Sequence, residues 1–416
     1  MALLKLLFCI ALAWGSLATF AVVKGKSYET RALRTIVLSA IPLRLITCLA
    51  VYIFLPDLNQ DSDTIQHYFP RTVDFLNGLM PYVDFKTVYS PLFYVLLALP
   101  VFIWKSVGAV VLTMNLLEIA TLIVYLKRCK RRDVNYGWRV AFLYYLSPIS
   151  VYWIGLVGYN GAIIALFTMV ALVLAERNRD YVSGLAGAIG YLCSKLLAVL
   201  SWPAIVFFYK TGWVKRLIPP AVALLAMLVL TVYGVPVYQT LRGDFGDYTS
   251  NNLPFLISSL ITGLQNNAYW HLFPLITFFP IMLYLLYLRI RLVNDEKNSN
   301  FDIAVALAVA ANLLFLIVSR KTFTMYMPMI TIFVIHMLLA GDKDSLKQLI
   351  PIAILGSLTT IEPYLQIITN VQYEPYSAFE GKFTLLILTS VVIVACNIYL
   401  FWRAAALIKS GAHSKT

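Results

Sequence analysis

The chain has 416 residues, 60% of them apolar and 13% charged, with a mean hydropathy of +0.79 and a net charge of +13. That composition excludes a soluble globular enzyme and a disordered polymer and puts the chain in the membrane class. The positive charge is spread over short connectors, a pattern of membrane orientation and not of nucleic-acid binding.

A bilayer core of roughly 30 Å needs about 20 apolar residues per helix, and such runs recur from one end of the chain to the other. Polar intervals are all shorter than about 60 residues, too short for a separate domain. The first run, ending at Val23, reads as a retained anchor, because Ala18-Thr19-Phe20 is a poor cleavage site and Lys24 and Lys26 follow it. Spans are predicted over 3–23, 33–55, 107–126, 138–155, 160–176, 181–194, 196–210, 214–236, 271–288, 302–319, 323–340, 347–363 and 383–402. The expectation is an all-α polytopic bundle of about 11–13 transmembrane helices, forming one domain over residues 1–416.

Lysine and arginine clusters such as Lys127-Arg128 with Lys130-Arg131-Arg132 mark the cytoplasmic side. Keeping them there puts the N-terminus outside and makes 56–106 one long outer loop. Within it the run 90–104, carrying Pro91 and Pro100, reads as a re-entrant or juxtamembrane segment. The same rule splits 181–210 into two half-spans meeting near Lys195. Further outer loops are expected at 237–270, with Arg242, Asp244 and Asp247, and at 363–382, with Glu374 and Tyr376. The five cysteines form no CxxC and no metal-ligand spacing.

The outer loop opens Asp61-Ser62-Asp63-Thr64-Ile65-Gln66-His67-Tyr68-Phe69. Asp63 with Gln66 fits a capping box, followed by an amphipathic surface helix over 64–77 that turns Ile65, Phe69, Val73 and Leu76 to one face and stops at Gly78. The functional reading of Asp61 and Asp63 is a general base, or a pair recruiting a divalent ion such as Mg or Mn, at the boundary between water and lipid. Lys195 stands alone in an apolar run, either snorkelling or meeting a lipid phosphate. Arg320 and Lys321 fall on the outer side against the charge rule, where a leaving phosphate would need them. Arg44 and Glu118 fall inside spans and are expected to pair. His67 and His271 are scattered and read first as plain polar residues.

Asp63, Tyr68, Gly78, Pro81-Tyr82, Asp84-Phe85 and Tyr89-Ser90-Pro91 resemble the first outer loop of the GT-C glycosyltransferases, in particular the mannosyltransferase-like branch that uses polyprenyl-phosphate sugars. Weaker likenesses lie in Ser147-Pro148 with Gly158-Tyr159-Asn160-Gly161, where Gly161 stands in place of an expected acid, in Gly184-Leu185-Ala186-Gly187 through Lys195, and in Arg320 to Tyr326. Arg44 matches an arginine often found before that family's loop. The resemblance implies an inverting sugar transfer from a polyprenyl or dolichyl phosphate, with mannose a family-based choice, to a hydroxyl of a glycolipid or envelope glycan outside the cytoplasm. It makes Asp63 and Asp61 the catalytic acids, Lys195, Arg320, Lys321 and Arg44 the phosphate ligands, and His67, Tyr68, Tyr82, Asp84, Tyr89 and Asn160 the substrate contacts.

A transporter or lipid-linked-sugar flippase is the alternative, although the acids cluster in one loop and the halves show no symmetry. A non-catalytic assembly factor is the third reading. The tail from Lys409 to Thr416 carries no endoplasmic-reticulum retrieval signal, which points to the plasma membrane of a prokaryote.

Overall fold

The structure is a computed structural model that describes residues 2–55, 62–209, 211–232, 249–261, 263–264, 269–292, 300–341, 346–370 and 380–410. Among these residues every regular element is helical, with one isolated bridge between Pro81 and Phe85. Seven helices are long and apolar enough to cross a bilayer: Leu3–Val23, Glu29–Phe54, Val107–Arg131, Trp213–Val232, Phe273–Arg291, Phe301–Val318 and Gly381–Ser410. Two further apolar stretches are broken helix pairs, Ile149–Leu156 with Gly161–Ala175, bent by 112°, and Leu346–Leu358 with Ile361–Thr369, bent by 45°. The chain is an all-α polytopic membrane protein.

Against thirteen expected spans, the described residues hold seven full-length helices, or up to nine if each bent pair counts as one. Helix Pro91–Ile103 has 13 residues, about 20 Å of rise, too short to cross, as expected of a re-entrant or juxtamembrane segment. Among the expected spans, 323–340 is a 3₁₀ turn, Thr324–Met329, followed by the 11-residue helix Thr331–Gly341. At Lys195 the backbone is extended (φ −149°, ψ 175°), separating helix Asp180–Leu192 from the 3₁₀ turn Leu196–Ser201. Gly158, at φ +75°, makes the sharp turn in the 112° pair. Residues 363–369, expected in an outer loop, belong instead to helix Ile361–Thr369.

Phe301–Val318 is the central helix, with 89% of its most apolar window buried against 17% for Phe273–Arg291. Ala304, Ala306, Ala308, Ala310 and Ala311 are all buried along it, and small side chains let neighbouring backbones approach closely. It packs against Thr331–Gly341 and Thr384–Ser410. Several buried charges are paired. Glu176 gathers Arg128, Arg131 and Arg132, Arg139 meets Glu29, and Arg216 meets Asp180. The pair expected in the second span is formed: Arg44 Nη2 lies 2.5 Å from Glu118 Oε2, and Arg44 also donates to the Ser150 hydroxyl and carbonyl, each at 2.9 Å.

Candidate functional site

The segment beginning at Ser62 brings the first acid into place. The capping box expected of Asp63 and Gln66 is absent: the Asp63 carboxylate makes no capping bond. The amides of Ile65 and Gln66 donate instead to the Ser62 carbonyl at 3.0 and 2.9 Å, and the Ser62 hydroxyl stands 3.4 Å from the Ile65 amide. The chain then runs through a π-helical turn, Thr64–Tyr68, into helix Phe69–Leu76. The wider turn shifts the phase of the buried face. Thr64, Tyr68 and Thr72 are fully buried, whereas the expected apolar face of Ile65, Phe69, Val73 and Leu76 is half-buried and, at Leu76, exposed.

Freed from capping, the Asp63 carboxylate meets Tyr89. The Tyr89 hydroxyl lies 3.4 Å from Asp63 Oδ2 and 3.2 Å from the Tyr68 hydroxyl, and its single proton serves one of them at a time. Tyr89 stacks on Phe93 with centroids 4.6 Å apart and meets the Tyr68 ring edge-on at 5.0 Å. Burial, then the neighbouring phenol and the Asp63 charge, hold the Tyr89 hydroxyl well above its ordinary range; burial and Asp63 do the same for Tyr68. Both phenols therefore stay protonated at working pH and act as neutral hydrogen-bonding groups beside the acid.

Lys195 enters the same cleft from the break after helix Asp180–Leu192. The side chain is buried, and its ammonium lies 5.7, 5.3 and 4.6 Å from the ring centroids of Tyr89, Tyr159 and Tyr326. Aromatic faces stabilise a cation that has left bulk water. Tyr159 follows the Gly158 turn, and Tyr326 sits in the 3₁₀ turn Thr324–Met329. The stretch leading to that turn carries Lys321 and is tied down by backbone contacts. Thr249 N donates to the Arg320 carbonyl at 3.0 Å, Thr322 N to Thr249 Oγ1 at 2.6 Å, and Thr324 Oγ1 to the buried Glu362 Oε2 at 2.8 Å.

These elements enclose a cleft of about 420 Å³. Its walls are Asp63, His67 and Arg71 from the first segment, Lys86 to Tyr89 and Tyr94 from the next, Lys195, and Lys321, Phe323, Met325 and Tyr326 from the late turn. Five residues singled out from the sequence thus share one space: Asp63, His67, Tyr89, Lys195 and Lys321.

The others lie elsewhere. Tyr68 stands behind the wall as a fully buried support for Tyr89. Asn160 is fully buried beside that layer, where the Thr64 hydroxyl donates to the Gly158 carbonyl at 3.3 Å. Arg44 is held by Glu118 and is not among the cleft residues. Arg320 contributes its carbonyl to the late turn and also does not line the cleft. Tyr82, at φ +69°, and Asp84, whose carboxylate accepts the Met80 amide at 2.7 Å, shape a turn outside the cleft lining. Asp61, Arg242, Asp244, Asp247, Glu374 and Tyr376 lie outside the described residues, as does the side chain of His271.

Arg71, Lys86 and Tyr94 were not singled out from the sequence, and Tyr159 and Tyr326 stood in two of the weaker likenesses without a role of their own. Arg71 had a legible signal: it follows Asp63 and His67 at intervals of four. Nothing in those motifs linked Tyr159 and Tyr326 to Lys195, because only the fold brings them together. Among the described residues no group of three or more histidine, cysteine or acidic side chains is arranged to hold a metal ion; on the cleft, Asp63 and His67 are the side chains of that type.

The arrangement offers one carboxylate steadied by a neutral phenol, with a buried ammonium and a second lysine on the same space. That suits removal of a proton from one reactant and neutralisation of negative charge on another. No family model, curated protein or solved structure matches the chain.

Proposed function

We propose that the chain is an inverting membrane glycosyltransferase of the GT-C kind. It moves a sugar from a polyprenyl or dolichyl phosphate to a hydroxyl of a glycolipid or envelope glycan on the non-cytoplasmic face of a prokaryotic plasma membrane. The observation that carries this reading is the shared cleft of Asp63, Lys195 and Lys321. Asp63 takes the proton of the acceptor hydroxyl, whose oxygen forms a bond to the anomeric carbon as the bond from that carbon to the phosphate oxygen breaks. The electron pair leaves with the lipid phosphate, and Lys195 and Lys321 neutralise its charge. Tyr89 holds the carboxylate in line. A lipid phosphate is an adequate leaving group, so the displacement does not require a bound metal; Asp61 and Asp63 are where a Mg or Mn ion would be recruited.

The test has two arms. Purified protein in lipid nanodiscs is given a radiolabelled polyprenyl-phosphate hexose and an alkyl glycoside acceptor, and the co-isolated lipids are read by mass spectrometry. Transfer that Asp63→Asn abolishes, with a prenyl phosphate among the lipids, supports the reading. Unchanged transfer by that variant would falsify the base assignment. Sidedness is checked by labelling Val83→Cys, at a site 66% exposed, with an impermeant maleimide on intact cells; labelling only after lysis sinks the non-cytoplasmic placement.

The bent pair Ile149–Leu156 with Gly161–Ala175 favours a second reading, a lipid-linked-sugar flippase, since transporters build their sites at broken helices. Uptake of a fluorescent lipid-linked sugar across proteoliposomes without sugar transfer would decide for it.

A further inference from the structure

Asp63, His67 and Arg71 all line the cleft and come from one continuous helical segment. Eight residues of helix place Arg71 roughly 12 Å along from Asp63. The Arg71 guanidinium lies 5.2 Å over the Phe85 ring, and the residue after that phenylalanine, Lys86, also lines the cleft. Phe85 in turn meets Tyr94 edge-on at 5.4 Å. Lys195 is built on other rings, those of Tyr89, Tyr159 and Tyr326. Arg71 and Lys195 thus face different rings of one connected aromatic layer, which runs from Phe85 through Tyr94 and Phe93 to Tyr89, and Asp63 adjoins the Lys195 end through Tyr89.

The charges do not balance for a single phosphodiester. Such a donor carries one negative charge, and Lys195 with Lys321 already exceeds it. Arg71 and Lys86 add two more cations, while the described lining holds one carboxylate, Asp63. Arg71 also meets Asp74 at 3.1 Å, but both side chains are about a third exposed, and a pair of that kind is weak. A guanidinium keeps further N–H donors for a second anion after one such contact.

We infer that Arg71 and Lys86 form a second anion subsite that takes an acidic group, phosphate or carboxylate, on the acceptor. The acceptor class is therefore an acidic glycolipid or glycan. This inference rests on the glycosyl-transfer reading for the word acceptor, but the subsite itself is tested by binding alone.

Radiolabelled octyl glucoside, octyl glucuronide and octyl glucoside 6-phosphate are titrated onto the full chain in nanodiscs of neutral phosphatidylcholine, wild type beside the double variant Arg71→Gln/Lys86→Gln. Equal melting temperatures confirm that the variant is folded. The wild type binds at least one acidic glycoside about tenfold more tightly than the neutral one, as a charge-assisted contact supplies, and the advantage shrinks in high salt. The two acidic probes separate phosphate from carboxylate. The variant binds all three alike. Equal binding of acidic and neutral probes by the wild type overturns the subsite, as does a preference that survives in the variant. The same holds if the variant instead loses affinity for a polyprenyl-phosphate hexose, which would assign both cations to the donor. Absence of sugar transfer alongside a preference that the variant loses leaves the subsite standing and defeats the glycosyl-transfer reading alone.

Discussion

The Lys195 ammonium lies 4.6 Å from the centre of the Tyr326 ring, although the two residues belong to distant parts of the chain. The lysine reaches that ring because its own backbone is extended between two short helices, and the tyrosine because the late turn is anchored on Thr249 and Glu362. Replacing Lys195 by Gln removes the charge and keeps much of the side-chain length. Charge-assisted contacts contribute about 1.5–3 kcal/mol, so donor KM rises by about 10- to 100-fold. Tyr326→Leu keeps the ammonium and loses its aromatic face, an effect of about 0.5–2 kcal/mol, and raises donor KM less. Steady-state kinetics with varied donor lipid separates the two; an unchanged KM in Lys195→Gln removes that lysine from the donor site.

Asp63→Asn keeps size and polarity but accepts no proton. General-base catalysis accounts for about 10²- to 10⁴-fold in rate, so kcat falls by that order while donor binding persists. Tyr89→Phe withdraws the hydroxyl at 3.4 Å from the carboxylate and lowers kcat by about tenfold, within the cost of one hydrogen bond to a charged group. Because Tyr68 and Tyr89 are held above their usual range by burial, neither loses its proton below about pH 10. Tyr68 and Tyr89 therefore contribute no descending limb to a rate profile between pH 4 and 9, and such a limb in the wild type that Tyr89→Phe removes contradicts this account.

Arg44 and Glu118 form the most enclosed ion pair of the second span, with side chains 8% and 0% exposed. Glu118→Gln leaves a guanidinium charge in the interior without its counter-ion, at a cost of about 3–5 kcal/mol. The double change Arg44→Met with Glu118→Leu leaves no stranded charge and costs less. Thermal unfolding in detergent measures both, and a double variant less stable than the single one contradicts this account.

Gly184 faces the start of the helix Trp213–Val232: an added methyl would collide with the Arg216 carbonyl oxygen. Backbone cannot rotate aside as a side chain does, so Gly184→Ala destabilises by about 1–3 kcal/mol. Gly15, in the first helix, has nothing within 4 Å of the corresponding position. Gly15→Ala therefore holds or slightly raises the melting temperature, because alanine is the better helix former. The pair measured side by side distinguishes crowding from propensity.

The helical class was legible because twenty-residue apolar runs have few alternatives in a chain this hydrophobic. The interruption at Lys195 was legible too, since an ionisable group in such a run demands a reason. What failed were local rules overruled by distant partners. Asp63 with Gln66 satisfies the capping pattern, yet Tyr89 engages the carboxylate and Ser62 serves the amides. The apolar period of Ile65, Phe69 and Val73 misjudged the buried face because a π turn changes the phase, and because in a membrane protein an apolar side chain is at home in hydrocarbon as well as in the interior. The rings around Lys195 are invisible in sequence, since no spacing links Tyr159 to Tyr326. Asp63, Lys195 and Lys321 share one cleft, while Arg44, Tyr82 and Asp84 are occupied with holding the fold together.

Ser62 closing the first helical turn has a bearing on how this protein can change. Architecture and reactivity are delegated to adjacent links of the chain, so the acid at position 63 is free to be exchanged while the segment that presents it stays wound. A library randomised at the two positions would sort accordingly, with folded yield following residue 62 and turnover following residue 63.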